Sequence, residues 1–124
     1  MQVPILKQVD ILIATLPAGL NDADLLQFRD ELCEKVGRFR SRGVIVDVTA
    51  MDVMDSFAAR TLRGVAHAAK LRGAETVVVG IQPDVAFSMV QLGLSLEGVE
   101  TALDLEEGLE FLRKNPPGRS RLAR

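Results

Sequence analysis

Hydrophobic and polar residues alternate near the start of the chain, and apolar residues then recur at helical spacing. Ile5-Leu6 and Val9 to Leu16 predict two short strands, which Pro17-Ala18-Gly19 closes. Asn21 is a suitable N-cap for a following amphipathic helix. The apolar positions of this helix are Leu25, Phe28, Leu32, Val36 and Phe39. Gly43 is predicted to end it, after a cluster of basic residues.

Strands and helices continue to alternate beyond this helix. The β-branched runs Val44 to Val48 and Thr76 to Val79 predict strands buried on both faces, and Val99 to Ala102 predicts a short edge strand. Three more helices are predicted. The first begins at Ser56 and ends before Gly73. The second begins at Pro83, with Val85, Met89 and Leu92 inward, and the third follows the Asp104/Glu107 capping pair, with Leu105, Leu109 and Leu112 on one face.

This order of elements predicts one α/β domain over residues 1–115, with a mixed sheet of four to five strands and about four helices. Residues 116–124 are basic and lack periodicity, so we expect a disordered tail there. No apolar run is long enough to span a bilayer, and no signal peptide is evident. A single cysteine among 124 residues favours a reducing compartment. We therefore expect a cytoplasmic protein.

The net charge of −2 and the absence of tryptophan and tyrosine disfavour a nucleic-acid partner. Motifs of enzymes are also missing: the chain has no G-x-S-x-G, Walker A or G-x-G-x-x-G sequence and no Cys/His metal spacing. The spacing of Asp47, Asp52 and Asp55 does not force them into one magnesium site. Cys33 is predicted to be a half-buried packing residue. We expect no catalytic residue, metal or cofactor.

The informative segment is the loop from Thr49 to Asp55 and the helix that begins at Ser56. A serine hydroxyl at a helix N-cap lies near free backbone N–H groups, which predicts either capping alone or a phosphorylation site. A phosphate there would be tolerated by the helix dipole. Because Asp52 and Asp55 already make the loop acidic, the added charge would act mainly on a bound partner.

The helix after Ser56 has two predicted faces. Phe57, Leu62 and Val65 are among the residues that can face the sheet, whereas Arg60, Arg63, His67 and Lys70 form an outward stripe. A charged stripe indicates either an ordinary solvated helix face or, beside a switch residue, a docking surface. Both interpretations stay open.

The segment from Val46 to Phe57, Val-Asp-Val-Thr-Ala-Met-Asp-Val-Met-Asp-Ser-Phe, resembles the signature of STAS domains (sulfate transporter and anti-sigma-factor antagonist). Three other segments are similar to the stressosome antagonist branch of this family: Pro4 to Lys7, Gly80 to Ala86 and Glu100 to Leu109. The alternative of a response-regulator receiver domain fails. Those domains carry a further acidic pair after the first strand and a lysine near the last one, and this sequence lacks both.

The resemblance implies an anti-sigma-factor antagonist-like fold and a role in binding proteins. It implies that Ser56 is phosphorylated by a serine/threonine switch kinase, that the kinase is thereby released, and that a cognate phosphatase resets the serine. Sensor-bearing, RsbR-like STAS paralogues would join the chain in a large complex. Asp52, Asp55, Phe57, Arg60 and Arg63 are the candidate partner-binding residues. The resemblance does not make Thr49 the acceptor.

Two other functions remain as alternatives. One is a direct anti-anti-sigma factor that binds an anti-sigma kinase; Phe57 departs from that group, which often has a second serine or a glycine after Asp-Ser. The other is a small-molecule-binding enzyme domain, which only the α/β architecture suggests.

Overall fold

The computed structural model describes residues 2–116. Five strands and four helices follow each other in the order β1(Ile5–Gln8), β2(Ile11–Thr15), α1(Asp22–Phe39), β3(Gly43–Asp47), α2(Ser56–Leu71), β4(Glu75–Val79), α3(Pro83–Gln91), β5(Glu100–Ala102) and α4(Leu105–Lys114). The predicted number of helices and the upper predicted number of strands are confirmed. Residues 117–124, which make up all but the first residue of the expected tail, lie outside the described part.

The first two strands form a hairpin, and their predicted bounds were wrong. β1 continues to Gln8 and pairs antiparallel with β2, Ile5 opposite Ala14 and Gln8 opposite Ile11. Val9 adopts a positive φ of 57°, which takes it out of the strand and into the two-residue turn. The prediction of a strand from Val9 failed because apolar character indicated burial, whereas the Val9 side chain is 82% exposed.

The remaining strands are parallel and lie side by side in chain order, from β2 to β5. Each right-handed crossover adds the next strand on the same side of the preceding strand. The helices of these crossovers therefore all lie on one face of the sheet. Accordingly, α1 packs on α2, and α4 alone contacts β3, β4 and β5 on the other face.

Two apolar layers result from the alternation of side chains along the buried strands. Val44, Val46 and Val78 belong to the layer under α1, α2 and α3. Ile45, Val77 and Val79 point to the opposite face, where Leu112 of α4 covers them. Both strands are therefore buried on both faces, as their β-branched runs predict.

The structure refines three predictions about the ends of α1 and the faces of α3 and α4. Asn21 caps α1 and forms a reciprocal capping box with Asp24. The helix ends at Arg40, in the left-handed conformation at φ 51°, and not at Gly43, which pairs within β3. Leu92 was wrongly placed inward, since it follows the last turn of α3 and is 68% exposed, and Leu105, on the predicted face of α4 with Leu109 and Leu112, is 37% exposed.

No helix within residues 2–116 is both long and apolar enough to cross a bilayer.

Candidate functional site

The candidate site is the loop between β3 and α2, at the carboxyl edge of the parallel strands. Asp47 ends β3, and its Oδ1 atom accepts hydrogen bonds from the Thr49 backbone N–H at 2.9 Å and the Thr49 hydroxyl at 2.6 Å. This short-range turn sets the direction in which the chain leaves the sheet. Asp47 and Thr49 are thus bonded to each other at the base of the loop.

The neighbouring loop between β4 and α3 holds the other side of Thr49. The Gln82 side chain donates a hydrogen bond to the Thr49 carbonyl at 2.6 Å. Gly80 has a φ of +84°, and a Cβ at that position would lie 2.1 Å from the Thr49 hydroxyl. Only glycine fits both this backbone conformation and this close approach. The β3–α2 and β4–α3 loops are therefore held together at Thr49.

Within the loop itself, two buried methionines lie among exposed residues. Met51 and Met54 are buried in the core at 7% and 3% exposure. Asp52, Val53 and Asp55 are exposed. The methionines hold the loop on the domain, so the acidic side chains are presented outward from a fixed backbone.

Asp55, and not Ser56, caps helix α2. The Asp55 residue has an extended backbone, and its Oδ1 atom accepts a hydrogen bond from the Ala58 N–H at 2.8 Å. The helix begins at Ser56 as predicted, but Ser56 is its first helical residue and not the predicted N-cap, and it is exposed. Its hydroxyl therefore stands at the helix N-terminus without being the cap.

The predicted faces of α2 are largely confirmed. Leu62 and Val65 are buried, and Phe57 is half-buried against the core. The Arg60 guanidinium is exposed and lies 6.0 Å from the centre of the Phe57 ring. These two residues form a single surface that begins one residue beyond Ser56.

Arg63 departs from the predicted outward stripe, because it is half-buried and donates a hydrogen bond to the Ser95 carbonyl. His67 is exposed and stands against Gly98, where an added Cβ would lie 2.8 Å from the imidazole Nε2. Lys70 is exposed and pairs with Glu75 at 3.8 Å. The lower part of the stripe thus contacts the α3–β5 loop and the start of β4 instead of facing open solvent throughout.

Metal binding finds no support in the described part of the chain, since residues 2–116 contain no cluster of three or more histidine, cysteine or acidic side chains placed to hold an ion. Asp52 and Asp55 line one shallow groove with Asp22, and Asp47 is directed to Thr49 instead. Burial raises the pKa of the half-buried Cys33 thiol, with nearby Asp30 as the second cause. A raised thiol pKa lowers the thiolate fraction and agrees with a packing role.

Sequence patterns missed the part played by Gln82. Its signal is weak, because a glutamine before a proline is ordinary, and only the approach of two loops distant in sequence gives it a partner. The same applies to Arg63 and Ser95, which are 32 positions apart.

Residues 2–108 match the STAS domain family. Among curated proteins, the RsbT co-antagonist protein RsbRA of Bacillus subtilis (strain 168) is 26% identical over 108 residues, which cover 87% of this chain and 39% of RsbRA. The chain thus corresponds to well under half the length of that relative.

Two solved structures are also similar. A serine-to-glutamate variant of RsbS from Moorella thermoacetica is 35% identical, with a TM-score of 0.77 over 90% of this chain and 95% of RsbS. A chain from a structure described as the molecular architecture of the stressosome, a signal integration and transduction hub, is 33% identical, with a TM-score of 0.72 over 90% and 96% of the two chains. The predicted fold class is confirmed.

Proposed function

The chain belongs to the STAS domain family, and on that premise we propose that it is a stressosome antagonist. In this role it holds a serine/threonine switch kinase and releases it when Ser56 is phosphorylated. One observation carries the proposal: Ser56 is exposed at the first position of α2, while Asp55 supplies the cap. The hydroxyl is therefore free to be modified without loss of the hydrogen bond that starts the helix.

A phosphate on Ser56 would add about 1.5 to 2 negative charges at neutral pH. The positive end of the α2 dipole favours that charge, so the helix itself tolerates it. Asp52 and Asp55 are exposed on the same loop, and the phosphate would raise the local negative charge facing any partner. Release of the kinase would then follow from repulsion across the interface, with the fold unchanged.

The kinase-binding surface would consist of the exposed acidic loop and the first turns of α2. Asp52, Asp55, Phe57 and Arg60 are its proposed members, since the two acids point outward and Arg60 covers the Phe57 ring. Arg63 would act indirectly, because its guanidinium is already bonded to the Ser95 carbonyl. In that position it would support the shape of the surface.

The other proposed partners are RsbR-like STAS proteins and a cognate phosphatase, in the cytoplasm and without a cofactor. RsbRA is named as a co-antagonist of RsbT, which supports joint binding of one kinase by two kinds of STAS protein. The resemblance to a stressosome chain along most of both sequences supports a large assembly. In this role the chain is a binding protein and not an enzyme.

Phosphorylation by the cognate kinase with ATP, mapped by mass spectrometry, tests the acceptor. We expect one phosphate on Ser56 in the wild type, none in Ser56→Ala, and normal modification of Ser88→Ala, a matched change at another exposed helical serine. Phosphate at another residue, with Ser56→Ala still fully modified, would contradict the proposal. Kinase that stays bound after complete phosphorylation would contradict the release step alone.

A further inference from the structure

The lysines and arginines are concentrated at one end of the molecule. β2, β3 and β4 start side by side there, with Ile11, Gly43 and Glu75 in register, and α1, α2 and α4 finish at the same end. More than half of the 15 lysines and arginines lie there. This basic end consists of Lys7, Lys35, Arg38, Arg40, Arg42, Lys70, Arg72, Arg113 and Lys114.

Positive groups are crowded at the basic end. The Lys7 and Lys35 ammonium groups and the Arg38 guanidinium lie 5.7, 5.9 and 4.9 Å from the centre of the same Phe39 ring. Ion pairs join Arg38 to Glu34, Lys70 to Glu75, and Arg113 and Lys114 to Glu110. The described ion pairs therefore offset only part of the charge, and the remaining positive charge faces solvent.

The opposite end has the reverse charge. Thr15, Asp47, Val79 and Ala102 are in register where the parallel strands finish, and within residues 2–116 the loops and first helical turns beyond them contain no lysine or arginine. This acidic end, which includes the Ser56 loop, consists of Asp22, Asp47, Asp52, Asp55, Asp84, Asp104, Glu106 and Glu107.

Helix dipoles explain part of this separation. Acids in first turns and bases in last turns are each worth about 0.3–1 kcal/mol, and all four helices start at the acidic end. That account does not cover Lys7 on β1, Arg42 in the α1–β3 loop, or Asp52 in the β3–α2 loop. These residues lie outside the helices and still follow the same division of charge.

We propose that the basic end binds the acidic end of a second copy of this chain. The two surfaces are complementary in charge and belong to the same sequence, so copies can join head to tail. A nucleic acid fits this chain less well, because the net charge of −2 and the absence of tryptophan and tyrosine disfavour both phosphate binding and base stacking. The contact is heterologous, which builds rings or open chains rather than closed pairs.

A charge-exchange experiment on the full chain tests this contact. Arg40→Glu with Arg42→Glu reverses the basic end, and Asp52→Lys with Asp84→Lys reverses the acidic end. Arg40 caps α1 through its backbone N–H, which the substitution keeps, and the other three residues cap no helix in the described structure. Sedimentation velocity is measured at about 0.01 M and about 1 M salt, where the Debye length is about 30 and about 3 Å. Arg29→Glu and Asp30→Lys, in the middle of α1, are the controls.

We expect the wild type and both controls to associate at low salt and to dissociate at high salt. Each end variant alone should lose association by about tenfold or more, and an equimolar mixture of the two should regain it. A mixture that stays dissociated, or a wild type that shows no salt-dependent association, overturns the proposal. The proposal is also overturned if the Arg40→Glu, Arg42→Glu variant loses binding to a labelled RNA oligonucleotide but keeps its self-association. No kinase or ATP is present, so failure here leaves the Ser56 proposal intact.

Discussion

At the scale of single residues, the site depends on which of two adjacent residues, both suitable as caps, takes the N-cap of α2. Asp55 takes the cap and Ser56 takes the first helical position. A capping serine would have its oxygen engaged with backbone N–H groups, and a phosphate on it would compete with the cap. With Asp55 as the cap, the proposed modification of Ser56 would leave the capping hydrogen bond of the helix in place.

Ser56→Asp should weaken capture of the kinase with little effect on stability. An added carboxylate at the first position of α2 interacts favourably with the helix dipole, by up to about 1 kcal/mol. Kinase binding is measured by pull-down or titration, and stability by thermal unfolding. A clear fall in the melting temperature of Ser56→Asp would refute the dipole argument, whatever happens to kinase binding.

Asp55→Ala should lower the free energy of unfolding by about 1 kcal/mol, because the Ala58 N–H loses its acceptor. Asp52→Ala is the matched control: it removes the same charge from the same loop, and Asp52 is exposed and does not cap α2. Urea unfolding compares the two variants. Equal stabilities would show that charge, and not the capping hydrogen bond, decides the effect.

At the scale of elements, α4 determines how closely the second face of the sheet can be covered. Gly108 lets the helix backbone approach β3 and β4, since a Cβ there would lie 2.8 Å from Val79 Cγ1 and 2.9 Å from Ile45 Cδ1. Gly43 plays the matching part on the sheet, where a Cβ would meet Leu112 Cδ1 at 2.8 Å. A Cβ atom at either glycine would therefore lie closer to its neighbours than ordinary carbon–carbon packing distances allow.

Gly108→Ala and Gly64→Ala should therefore have opposite effects. Overpacking by the Gly108→Ala methyl should cost about 1–3 kcal/mol, which exceeds the gain in helix propensity. Gly64 lies on the exposed side of α2 with nothing within 4 Å of an added Cβ, and its alanine should stabilise the protein by about 0.5–1 kcal/mol. Urea unfolding measures both variants, and stabilisation by Gly108→Ala would contradict the close approach of α4.

At the scale of the whole molecule, topology decides where function can sit. Parallel strands added in one direction gather every strand-to-helix loop of β2 to β5 at one edge. That edge brings the Ser56 loop beside Gln82 of the next loop and places the acidic first turns of α1, α3 and α4 and the Asp55 cap of α2 around it. The C-terminal ends of α1, α2 and α4, with the basic residues of their last turns, lie at the opposite edge.

Size measurements discriminate the proposed stressosome role from direct binding of an anti-sigma kinase. Mixed with an RsbR-like companion, the chain should elute as a very large particle, whereas the companion-free chain should elute as much smaller species. Light scattering coupled to size exclusion gives the masses. Small species that persist in the mixture would favour the anti-anti-sigma alternative, and binding to the kinase alone would then be the next measurement.

The sequence by itself determined the elements and their class. Periodicity is a local property, so Val44 to Val48 predicted a buried strand and Leu25 to Phe39 an amphipathic helix without any tertiary information. The motif around Asp55-Ser56-Phe57 likewise indicated the family, because a short chain segment carries that signal directly.

Only the tertiary structure decided the details that depend on distant partners. Asp55 and Ser56 are both good caps by type, and only the structure shows that Asp55 accepts the capping hydrogen bond from the Ala58 N–H. Gly43 serves contact with Leu112 instead of ending α1. The partners of Arg63 and Gln82, and the separation of charge between two ends, arise only when residues far apart in sequence meet. Local pattern cannot encode them, since each depends on how the elements pack.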